Sequence, residues 1–126
     1  MTVFHLHAYL IVVFGNIPAV SMVMHMKGHN GRSPCHMCEI QGICIPSSSV
    51  MTHYVPLHRK NFPDSQHRYD ATALPLQNHT LFMEQAQEVQ SALTDAASEQ
   101  LATKYGIKGL PLVGALSSLS FPVSFP

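Results

Sequence analysis

Charge is scarce in this chain and has no sign: seven Lys or Arg stand against seven Asp or Glu, 11% of 126 residues, with a formal net charge of zero. Strong non-specific binding to nucleic acid draws on counterion release by several clustered cations, and no such excess exists here. DNA contact by this chain alone is therefore expected to be weak or absent. Nine histidines can add positive charge, mainly below about pH 6.5. Cysteine is sparse too. Three cysteines, an odd number without repeating spacing, exclude a secreted disulfide scaffold. No Lys or Arg precedes Lys27, so the first residues do not supply the basic start of a signal peptide. The apolar run Tyr9–Phe14 is far shorter than the roughly 20 residues that span a bilayer. These absences point to an intracellular protein with no membrane segment.

What remains is apolar. At 46% hydrophobic residues the chain can build a core, and its length allows one domain. So few charges on so short a chain imply apolar surface left open, which favours self-association.

Three regions follow one another. Within residues 1–28, Phe4–Phe14 is rich in β-branched and aromatic residues and reads as a strand buried on both faces. Gly15-Asn16 marks a turn, Asn16 suits an N-cap, and Pro18 suits a first helical turn. A helix is expected over Ala19–Lys27, closed by Gly28. From 29 to 78, Gly, Pro, Ser, Asn and His dominate without periodicity, which is long for a structureless loop unless something ties it down. From 79 to 126, apolar spacing of three and four predicts a helix starting near His79 with Asn78 as cap. A second stretch, Asp95–Tyr105, is closed by Gly106, the two meeting near Thr94. The tail, Ile107–Pro126, ends on Phe121-Pro-Val-Ser-Phe-Pro126, for which the sequence offers no packing partner, as if the domain stopped midway. The fold class is thus an α/β fragment: strand, turn and helix, then an irregular Cys/His-rich insertion and an α-helical region.

Chemistry concentrates in Pro34-Cys35-His36-Met37-Cys38. Two cysteines with a two-residue spacer can both reach one tetrahedral zinc, and a metal staple turns binding energy into folding energy for an irregular tract. Thioredoxin-like redox catalysis needs this motif at a helix N-terminus, a setting that the surrounding Gly, Ser and Pro do not provide. Two unrelated cysteines are the plainer alternative. The zinc reading takes Cys35, Cys38, His58 and His67 as ligands, with His53 and Cys44 as further candidates. His5, His7, His25, His29, His36 and His79 read as ordinary surface or core residues.

Several motifs carry a resemblance. Phe14-Gly-Asn-Ile-Pro-Ala19, Lys27-Gly-His-Asn-Gly-Arg-Ser-Pro-Cys-His-Met-Cys38, Tyr54-Val-Pro-Leu-His58, Lys104-Tyr-Gly-Ile-Lys-Gly-Leu-Pro-Leu112 and Leu119-Ser-Phe-Pro122 together run through most of the chain. The whole resembles the CACTA (En/Spm-like) DNA transposases of fungi. That resemblance implies an RNase H-like catalytic domain in which three acidic residues hold divalent metal, two Mg²⁺ ions serving DNA cleavage and strand transfer. It also implies a nuclear location and DNA as the parent's partner. The family's second acid stands in a Gly-Asp-x-Pro-Ala setting, ahead of a Cys-x-x-Cys or Cys-x-x-His motif. Here Asn16 occupies that Asp position. A neutral amide brings no charge to balance Mg²⁺, so productive Mg²⁺ binding is not expected. The first and third acids would lie before Met1 and beyond Pro126. The expectation is a truncated, catalytically inactive transposase fragment. The alternative is a zinc-stapled module that binds protein or DNA without catalysis.

Overall fold

The computed structural model describes residues 3, 5–29, 31–44, 53–55 and 69–126. Its elements, in chain order, are helix α1 (Ile17–Val23), the short strands β1 (Ile43–Cys44) and β2 (His53–Tyr54), helices α2 (His79–Gln90) and α3 (Asp95–Tyr105), and a 3₁₀ turn (Leu112–Ala115).

Local signals set the helix starts. Asn16 is extended, and its side-chain oxygen accepts from Ala19 N at 3.0 Å, with Pro18 in the first turn where no N–H is needed. Asn78 caps α2 through Leu81 N at 3.1 Å, and Thr94 caps α3 through Ala97 N at 3.2 Å. Asp95 in the first turn and Lys104 in the last complement the dipole of α3, and Gly106 closes it at φ +74°, a left-handed conformation suited to glycine. The second and third helices are separate, joined through Ser91–Thr94 and pinned by Ser98 Oγ on Val89 O (3.1 Å) and Tyr105 Oη on Glu88 Oε2 (2.7 Å).

The first helix stops earlier than its sequence suggests. Met24 caps it, and His25 turns the chain at φ +57°, so Met24–Lys27 is not helical. Tertiary pairing overrides propensity at this point. Met26 bridges Ile107, Lys27 N donates to Gly106 O at 2.8 Å, and Lys108 N donates to His25 O at 2.7 Å. Gly28 has φ +85° but serves the next turn, where Gly31 N donates to its carbonyl at 3.0 Å.

One core joins the two ends of the chain. Val20, Met24 and Met26 pack with Phe82, Ala86, Ile107, Leu119, Phe121 and Phe125. Phe82, Ala86 and Val89 share one face of α2 at helical spacing. The first helix and the turn after it are thus packed with α2 and the tail as one unit, and the tail is no loose end. Phe121 stacks on Phe125 with centroids 4.7 Å apart and meets Phe82 at 4.6 Å, so the expectation that this segment has nothing to pack against is corrected. Aromatic rings of this size supply much of a small core's burial.

The amino-terminal strand expected over Phe4–Phe14 is not found among the described residues. Residues 5–14 form no strand, and Leu6, Tyr9, Ile11 and Phe14 are largely exposed. Val13 N donates to Ser124 O at 2.8 Å and Ser118 Oγ donates to Leu10 O at 2.6 Å, which fastens only the end of the segment. An apolar run favours an extended backbone, but a strand buried on both faces needs neighbours on both sides, and none stands there among the described residues. The sole ladder among them is antiparallel β1–β2, pairing Ile43 with Tyr54 and Cys44 with His53. No helix among the described residues is long and apolar enough to cross a membrane.

Candidate metal site

The Cys-x-x-Cys segment lies in a bend rather than at a helix start, and four sets of contacts fix it. On one side Cys38 bridges Leu76, with Glu39 N donating to Pro75 O (2.8 Å) and Gln77 N to Met37 O (3.0 Å). This pairing ties the bend to the entry of α2. Behind it, Gly42 N donates to Arg32 O at 2.6 Å, closing the bend into a loop. Gly42 has no room for a side chain, since a Cβ would come within 2.9 Å of His53 Cβ. Gln41 N donates to Tyr69 Oη at 2.9 Å. The fourth contact is Ser33, buried against the end of α3. A Cβ on Gly106 would fall 2.6 Å from Ser33 O. Lys27 reaches the same helix, meeting Glu99 in an ion pair and Thr103 Oγ1 at 3.2 Å.

Within this frame the two sulfurs touch. Cys38 Sγ donates to Cys35 Sγ at 2.9 Å, both cysteines being free, with Cys38 buried and Cys35 half-buried. Burial pushes the Cys38 thiol up to about 12, the bond to Cys35 and its charge adding to the effect and a backbone bond from Ile40 opposing it. Burial also holds the His36 imidazole below its ordinary value. Two thiolates on one tetrahedral zinc would stand about 3.8 Å apart at ordinary zinc–sulfur lengths. At 2.9 Å the two sulfurs would have to separate to take such an ion.

The remaining expected ligands, His58 and His67, lie outside the described residues. Cys44 is exposed on β1 opposite His53, and neither completes a set with the Cys35–Cys38 pair. Among the described residues, no three of His, Cys, Asp and Glu gather closely enough to hold a metal ion. The divalent-metal centre implied by the transposase resemblance finds no fit in them either. Asn16 Oδ1 is engaged by Ala19 N, and no carboxylates assemble near it.

Two further features escaped sequence reasoning. The Ser33–Gly106 junction depends on residues 73 positions apart and leaves no local trace, apart from a glycine that already had a capping role. Beside α1, Met22, Val23, His25, Leu110, Leu112 and Val113 line a half-open apolar recess of about 460 Å³. No protein-family model matches the chain, and neither a curated protein nor a solved structure matches it.

Proposed function

We propose that the chain is a catalytically inactive portion of a DNA transposase of the CACTA type, taken from the RNase H-like catalytic domain. The observation that carries this reading is Asn16: at the place of a family carboxylate stands a neutral amide, whose oxygen is used to cap α1. A capping Asn preserves the local fold while removing the anion that Mg²⁺ requires. Zero net charge supports weak DNA binding or none. The exposed Leu6, Tyr9, Ile11 and Phe14, together with the apolar recess, support self-association. A nuclear location follows from the resemblance. The test is incubation of the purified chain with labelled oligonucleotide duplexes and Mg²⁺ or Mn²⁺. No nicking or joining is expected, and metal-dependent cleavage that purifies with the chain overturns the proposal.

A second reading, a zinc-stapled module that binds protein or DNA, is favoured by the four-sided anchoring of the bend that carries Cys35 and Cys38. In it Cys35 and Cys38, with His58 and His67, hold one structural zinc. One equivalent of zinc per chain, lost in the Cys35→Ser and Cys38→Ser variants, is expected. Metal-free protein with unchanged structure removes this reading.

A further inference from the structure

We propose that Cys35 and Cys38 form a reversible dithiol–disulfide couple, closed by a disulfide oxidant such as oxidised glutathione, so that the bend carries a redox-modifiable link.

The geometry comes first. The sulfurs are 2.9 Å apart, and a disulfide bond of about 2.05 Å needs them to approach by less than an ångström, within reach of small side-chain rotations. The Cys38–Leu76 bridge and the Gly42–Arg32 bond hold the bend on both sides of the pair. The sulfurs face each other at contact distance. Access is one-sided. Cys35 is half-buried and meets the oxidant, whereas Cys38 is only 4% exposed and meets chiefly its neighbour. The third cysteine, Cys44, is itself exposed, is paired in register with His53 on β2, and forms no three-membered cluster with the pair.

The chemistry balances in two exchanges. Cys35 Sγ, as thiolate, attacks one sulfur of oxidised glutathione, a Cys35–glutathione bond forms, and one glutathione leaves as thiolate and takes up a proton. Cys38 Sγ then gives up its proton and attacks Cys35 Sγ. The Cys35–Cys38 bond forms, and the second glutathione leaves and is protonated. Two protein thiols lose two electrons, and one glutathione disulfide becomes two thiols. The pair lies in a bend and not at a helix N-terminus, so it is a link within the chain and not the centre of an oxidoreductase.

The test uses the full chain, freed of metal with a chelator, treated with oxidised glutathione and then alkylated. The expected product has lost two hydrogen atoms, carries alkyl label on Cys44 alone, and regains all three labels after dithiothreitol. Labelling of Cys35 and Cys38 should fall about tenfold against Cys44. Cys35→Ser should leave Cys38 labelled, and Cys44→Ser should leave closure intact. Three labels after oxidation, a link involving Cys44, or a disulfide-linked dimer overturns the proposal. The intact mass of the unsubstituted chain decides the matter even where a variant does not fold. A parallel arm adds one equivalent of zinc before the oxidant. Protection there supports the zinc staple, and closure despite zinc counts against the staple alone.

Discussion

His79 and Phe121, 42 positions apart, hold each other in two ways: the Phe121 N–H donates to His79 Nδ1 at 3.2 Å, and the two rings lie stacked with centroids 5.5 Å apart. The acceptor role at Nδ1 requires the tautomer with its proton on Nε2. One side chain thereby fastens the carboxy-terminal turn to the first residue of α2. Replacing it with alanine leaves the Phe121 N–H unpaired and removes the stack. His79→Ala should lower unfolding free energy by about 1–2 kcal/mol, read by urea titration. His79→Phe restores a ring but no acceptor and should recover part of the loss.

The aromatic turn itself should matter more. Phe125 is fully buried, whereas Val123, two residues earlier, is largely exposed. Phe125→Ala should cost about 3–5 kcal/mol and leave the chain largely unfolded, while Val123→Ala should stay within about 0.5 kcal/mol. Equal melting behaviour of the two variants would show that this turn does not belong to the core.

Two glycines with similar backbone conformations separate strain from crowding. Gly28 (φ +85°) has nothing within 4 Å of an added Cβ, and Gly106 (φ +74°) has Ser33 O at 2.6 Å. Gly28→Ala should cost only the left-handed penalty, about 1 kcal/mol. Gly106→Ala pays that and also pushes Ser33 and the Cys-x-x-Cys bend off α3. Amide chemical shifts from Ser33 to Cys38 should move in the second variant and not in the first.

Asn16 allows the cap to be separated from the charge. Asn16→Ala removes the bond to Ala19 N and should cost about 1 kcal/mol. Asn16→Asp keeps that bond and adds a negative charge at the positive end of α1, so stability should be equal or slightly higher at neutral pH. Because no carboxylates gather beside it among the described residues, restoring the acid should still give no Mg²⁺-dependent cleavage. Cleavage by Asn16→Asp in an oligonucleotide nicking assay would mean that the missing anion alone had silenced the site.

Features written in neighbouring residues were legible in the sequence. Asn78, Asn16 and Gly106 act where they stand, as caps within one helical turn, and α2 and α3 appear as expected, as does the start of α1. Features that depend on distant partners were not. The helix after Asn16 ends early because Met26 is drawn into a bridge with Ile107, which no local spacing encodes. Phe121 and Phe125 looked stranded because their partners, Phe82 and the His79 ring, lie some forty residues back. The run before Phe14 was read as a strand buried on both faces, but residues 5–14 form none, because burial on both faces is a statement about neighbours, and sequence patterning carries no information on whether they are present. At the candidate site, the Cys-x-x-Cys spacing foretold that two sulfurs would converge. It was silent on the Leu76 bridge and the Ser33–Gly106 junction that hold them.

The core described above draws on Val20 near one end of the sequence and Phe125 near the other. Such a nucleus has high contact order, and folding rates fall as contacts become less local. During synthesis, α2 and α3 can form transiently as a local hairpin, but the apolar face of α1 has no complete docking surface until the Phe121–Phe125 turn has been made. Until that turn emerges, the nascent polypeptide presents Val20, Met24 and Met26 unprotected, a natural target for chaperones that hold apolar segments.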